Sequence, residues 1–156
     1  MKRIKHILFV GVGVVMISLL TGCGEKQEMT AQEFKNRMEE KGYTVEEIDR
    51  STTDYTYLEA AYTATNEDNF CQVQFYEMTD IEHALYFFSN NKEIWQELED
   101  SSKEAAASGY ANYDRYVVTT TNNYYVLSRV GKSVLYINSG RSCEDELSDV
   151  VSSLGY

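Results

Sequence analysis

Three β-rich runs follow one another at residues 113–120, 124–130 and 133–138, with turn residues Asn122-Asn123 and Gly131-Lys132 between them. A two-residue loop that begins on glycine joins antiparallel neighbours, so these runs predict a β-meander. Alternation then sorts their side chains onto two faces. Val117, Val126, Val130, Leu135 and Ile137 share one face. Tyr116, Val118, Tyr125, Leu127, Arg129, Val134 and Tyr136 share the other. Both faces are apolar, which a sheet with one side in water does not tolerate. Each face therefore needs a cover: a helix, a ligand, a second copy or a partner.

The rest of the chain supplies helices and more strands. Thr30-Ala31-Gln32-Glu33 reads as a capping box, with Phe34 and Met38 four apart behind it and Gly42 to close the helix. Thr79-Asp80-Ile81-Glu82 reads as a second box. It opens a helix with Ile81, Ala84, Leu85, Phe88 and Trp95 on one stripe, which Phe87, Ile94 and Leu98 widen. Residues 103–108 read as a continuation of that helix beyond a break at Ser101-Ser102, ending at Gly109. A last helix runs from Ser142 to Gly155, with Glu144, Asp145 and Glu146 complementing its positive end. Residues 43–48, 55–64 and 70–78 read as strands, the last two joined by Asn66-Glu67-Asp68-Asn69. If Thr65 opposes Phe70, then Leu58, Ala60, Tyr62 and Ala64 share a face with Cys71, Val73 and Phe75. The expected fold is α+β: an antiparallel sheet of about six strands with helices packed on it, in the order αβββα-βββα.

The first 23 residues are of a different kind. Lys2, Arg3 and Lys5 precede an uncharged, mostly apolar run from Ile7 to Leu20, which is followed by Thr21-Gly22-Cys23. A basic start, a short apolar core and small residues before a cut form the pattern of an export signal. The ending Leu20-Thr21-Gly22-Cys23 resembles the lipobox of bacterial lipoproteins. That resemblance implies a lipid on the sulfur of Cys23, cleavage before it, and a position on the extracytoplasmic side of the cell membrane. The expected organisation is a signal peptide at residues 1–22, a lipidated cysteine and short tether at 23–29, and one α+β domain at 30–156. The domain is similar in style to those of small lipoproteins of Gram-positive bacteria.

Charge and side-chain inventory narrow the function. With 25 acidic against 14 basic residues, a net charge of −11 excludes a nucleic-acid-binding surface. Beyond the signal segment the one histidine is His83, and no hydrolase, zinc-protease or phosphate-loop motif is present. No catalytic residue, metal site or cofactor is therefore expected. Cys71 sits on the apolar face of its strand, and Cys143 leads the stripe Leu147, Val150, Val151 and Leu154. Both thiols point toward one core, as a disulfide or as two buried thiols, in a compartment where disulfides persist. Tyr116, Tyr125, Leu127, Arg129 and Tyr136 form the candidate binding face, with Arg129 able to fork onto a carboxylate of a partner or of the chain itself. The expected function is that of a membrane-tethered, non-catalytic domain binding a protein, peptide or glycan at the cell envelope. A small-molecule-binding lipoprotein and a carboxylate-dependent envelope enzyme are the alternatives.

Overall fold

The computed structural model describes residues 25–52, 56–98, 102–110 and 112–156, so Cys23 lies outside the described residues. The capping box at Thr30 forms as the sequence predicts. Thr30 Oγ1 accepts from the Glu33 amide at 3.2 Å, and the Glu33 carboxylate accepts from the Thr30 amide at 2.9 Å. Helix α1 (Ala31–Glu40) follows, and Gly42, at φ +86°, turns the chain into β1 (Thr44–Glu47). Strands β2 (Leu58–Thr65) and β3 (Gln72–Met78) precede α2 (Ile81–Gln96). Then come β4 (Ser102–Tyr110), β5 (Tyr113–Thr120), β6 (Asn123–Val130), β7 (Ser133–Gly140) and α3 (Glu144–Leu154). The strands form one antiparallel sheet in the order β1-β2-β3-β7-β6-β5-β4.

The sheet has seven strands rather than six, because residues 103–108 lie in a strand and not in a helix. Their composition favours a helix locally, but β4 pairs along its length with β5 and satisfies that strand's outer backbone groups. Gly109 belongs to this arrangement: a Cβ there would lie 2.8 Å from the Asp114 carboxylate. The cap of α2 is Asp80 rather than Thr79, with Asp80 Oδ1 accepting from the His83 amide at 2.9 Å. The β2–β3 register is two residues longer than expected, pairing Thr65 with Gln72. A shift of two preserves the faces. A bulge between Leu58 and Ala60 then moves Leu58 to the opposite face from Ala60.

Helices cover both faces. On one, α1 and α3 bury Phe34, Met38, Leu147 and Val151 against Val73, Phe75, Val126, Leu135 and Ile137. On the other, α2 buries Ala84, Phe87, Phe88 and Trp95 against Ala61, Met78, Tyr116, Val118, Leu127 and Val134. The stripe of α2 is therefore narrower and rotated from the sequence expectation. Its large aromatic side chains set the contact, and Ile81, Leu85 and Ile94 stay exposed. The order αβββα-βββα suggests two similar halves, but they are not repeats. β3 and β7 are antiparallel neighbours, so a rotation relating the halves would put α1 and α2 on one face, and they lie on opposite faces.

Residues 25–29, expected as a free tether, are docked on the domain. The Lys26 amide donates to Asn112 Oδ1 at 3.2 Å, and Asn112 Nδ2 donates back to the Lys26 carbonyl at 2.7 Å. Lys26 Nζ stands 4.2 Å above the Tyr113 ring, the Lys132 amide donates to Glu28 at 3.1 Å, and Met29 is buried. Asn112, Gly131 and the start of α2 all belong to one end of the sheet. The 66–71 loop and the start of α3 belong to the other. Eight residues of β5 at about 3.3 Å each separate the two ends by roughly 26 Å.

Candidate functional site

The five residues of the candidate face come together as the register predicted, with Leu127 opposite Tyr136 and Arg129 opposite Val134. What covers them is α2. Trp95 lies 5.4 Å from the Tyr125 ring and 4.9 Å from the Tyr136 ring, while Tyr116 and Leu127 are buried. Arg129 is only 3% exposed and is held by the chain's own groups. Its Nε and Nη2 donate to Asp114 Oδ2 at 2.8 and 2.6 Å, and Nη1 donates to the Gly131 carbonyl at 2.9 Å. This face is a helix–sheet core, not an open surface.

Cys71 and Cys143 are bonded in the structure and close a span of 72 residues. The bond ties the start of β3 to the start of α3 at the end of the sheet far from Asn112. Glu146, expected only as a helix-terminal acid, reinforces it. Its carboxylate accepts from Asn66 Nδ2 at 2.9 Å, from Asn69 Nδ2 at 2.6 Å and from the Tyr43 hydroxyl. Burial pushes the Glu146 carboxyl upward, but these three donors outweigh it and hold the group below its usual range. Burial, and then the bond to Glu146, raise the Tyr43 hydroxyl well above an ordinary tyrosine.

The segment so clamped is the 66–71 loop. Asn66 and Cys71 are joined by a 2.9 Å backbone bond, the Phe70 amide donates to the Asn66 carbonyl at 2.8 Å, and the Cys71 amide donates to Asn69 Oδ1 at 3.0 Å. Within it Phe70 takes φ +59° and is 76% exposed. A bulky residue in the left-handed region carries strain, and burial returns little here to offset it. Sequence reasoning made Phe70 the first residue of a strand and missed this. The available signal was a dense run of turn formers, Asn66-Glu67-Asp68-Asn69, set directly before an aromatic residue and a cysteine.

The loss of one proton from Glu146 has a definite sign. A carboxyl whose pKa is lowered by folding stabilises above its unfolded value, about 4.3, and that contribution disappears as the pH falls through the folded value. Glu146→Gln should cost about 1–3 kcal/mol at pH 7, because its amide would face donors. Urea midpoints of the two proteins should draw together as the pH is lowered from 7 through the carboxylate range. A gap that does not narrow at all would mean that Glu146 does not carry this clamp through its charge.

His83, Glu59 and Glu77 have local partners. His83 stacks on Tyr57 at 4.6 Å, and its Nδ1 lies 2.7 Å from Asp80. Glu59 and Glu77 converge, but on Lys132 Nζ, at 2.7 and 3.1 Å. Among the described residues no group of three or more His, Cys, Asp or Glu could hold a metal ion. No described helix is long and apolar enough to cross a membrane. A hollow of about 330 Å³ opens beside β4, lined by Ala106, Ser108, Arg115, Val117, Tyr124 and Glu144 among others. Comparison with protein-family models, with curated proteins and with solved structures found no match for this chain.

Proposed function

We propose that this chain is an extracytoplasmic lipoprotein, held at the cell membrane by lipid on Cys23, whose domain has no catalytic role and binds a protein partner through Phe70. The exposed, strained Phe70 on a clamped loop is the observation that carries this reading. Strain tied to an aromatic side chain in water is retained where the side chain is used. A rigid aromatic anchor also loses little conformational freedom on binding. Glu67 and Asp68 flank it and are exposed, so the partner's matching feature is an apolar socket rimmed by basic groups. The loop's position at the end remote from Lys26 supports the same reading, because that end would point away from the membrane.

The test places a photo-crosslinking amino acid at Glu67 in cells, with Ile94 on the outer side of α2 as the control position. A crosslinked protein is expected at 67 and should vanish in Phe70→Gly. Glycine accepts the left-handed backbone, so that variant should be as stable as the parent or up to about 1 kcal/mol more stable. Cys23→Ala should release the chain from the membrane fraction. A crosslink unchanged by Phe70→Gly, or a clear loss of stability in that variant, would overturn the binding role of Phe70.

A further inference from the structure

The two edges of the sheet are treated differently. The β1 edge has four residues, and two of them are Glu46 and Glu47, both exposed. Short length and charge are how proteins block an edge from pairing. The β4 edge has nine residues, and from Ala105 to Gly109 it carries nothing larger than serine. Among the described residues no strand lies beyond it. Every second residue of such a strand offers its N–H and C=O outward.

Each face of β4 also borders a hollow. On one side lies the space of about 330 Å³ with Ala106, Ser108 and Arg115. On the other lies one of about 270 Å³ with Ala107, Gly109, Phe88, Lys92 and Asp114, which Ser108 and Arg115 also border at the strand edge. The acids in these hollows already have cations: Glu144 is 2.5 Å from Arg141, and Asp114 holds Arg129. Arg115 differs. Its side chain reaches the Tyr124 hydroxyl, but its Nε is buried with no hydrogen-bond partner among the described residues. A carboxylate entering the hollow could accept from a terminal nitrogen of Arg115, and from Nε as well once the guanidinium turns toward it.

We infer that β4 is a strand-addition site for an extended peptide segment of another protein, carrying an acidic side chain that enters the Arg115 hollow. In this mode backbone bonds give the affinity and alternate side chains give the selectivity. A second copy of the chain fits less well. It would press together two chains of net charge −11. The site is separate from the Phe70 loop, and neither reading depends on the other.

The probe is a nonapeptide of alternating Thr and Val with Glu at its fifth position, beside its Gln counterpart. Binding to the full chain in detergent is read by fluorescence anisotropy and by amide hydrogen exchange over residues 102–110. The Glu peptide should bind at least tenfold tighter than the Gln peptide and should slow exchange in β4. Arg115→Gln should erase the difference between the peptides. Ala106→Glu, which fills the hollow from within, should abolish binding while Phe70→Gly leaves it intact; melting curves identify any variant that fails to fold, and the exchange pattern of the parent then decides. Unslowed β4 exchange, equal affinities on the parent chain, or pairing of two copies by light scattering would each overturn the proposal.

Discussion

Replacing Cys71 and Cys143 together with alanine should lower the stability of the domain by about 4 kcal/mol. The figure follows from the 72-residue separation of the pair in the chain-entropy account, where a long closed loop removes more freedom from the unfolded chain. For a domain of this size it corresponds to a fall in melting temperature of roughly 15 °C. The effect should be larger at the loop than elsewhere. With the bond gone, the hydrogen bonds of Glu146 still tie the 66–71 segment to α3, but amide exchange at Asn69, Phe70 and Cys71 should accelerate before the rest of the sheet opens. Chemical denaturation with and without reductant measures the first outcome, and exchange measures the second. A loss below about 1 kcal/mol would show that the unfolded chain gains little freedom from the missing bond.

Trp95→Ala should cost about 3–5 kcal/mol, the range for deleting a buried large aromatic side chain. Trp95 is 4% exposed and spans Tyr125 and Tyr136, so the substitution opens a cavity between α2 and the sheet. Tyr125→Ser combined with Tyr136→Ser should also cost several kcal/mol, from the other side of the same contact. In each variant the fraction that remains folded should keep crosslinking through position 67. A neutral Trp95→Ala would mean that α2 does not cover the tyrosine face. Loss of crosslinking from folded protein would move the binding role back to that face.

The parts of this fold that were legible in the sequence are those decided by short-range pattern. The β5–β6–β7 meander follows from period-two alternation and from Gly131, which takes φ +56° in the tight turn to Ser133. The first helix follows from its capping box. The pairing of Cys71 with Cys143 was an open expectation because both residues lead apolar stripes directed at one core. What was not legible depends on contacts distant in sequence. The Lys-Glu-Ala-Ala-Ala composition of β4 favours a helix, and only the exposed flank of β5 makes it a strand. The conformation of Phe70 is opposed by its residue type and imposed by a disulfide partner and by Glu146, both more than 70 residues away. The candidate tyrosine face was correctly assembled, but its cover could not be chosen from pattern alone, because a helix and a partner demand the same apolar surface.

The docking of residues 25–29 has a mechanical consequence. If the chain is held at Cys23 and engaged at Phe70, as proposed, it is loaded between the two ends of its strands. The ladder bonds lie across that line, so load reaching the sheet falls on many of them in parallel rather than unzipping them singly. The seal of Lys26 against Asn112 and Tyr113 meets the load before α1 does. Such a domain would act less as a ball on a string than as a short stiff post, transmitting a pull on its tip to the bilayer with little give.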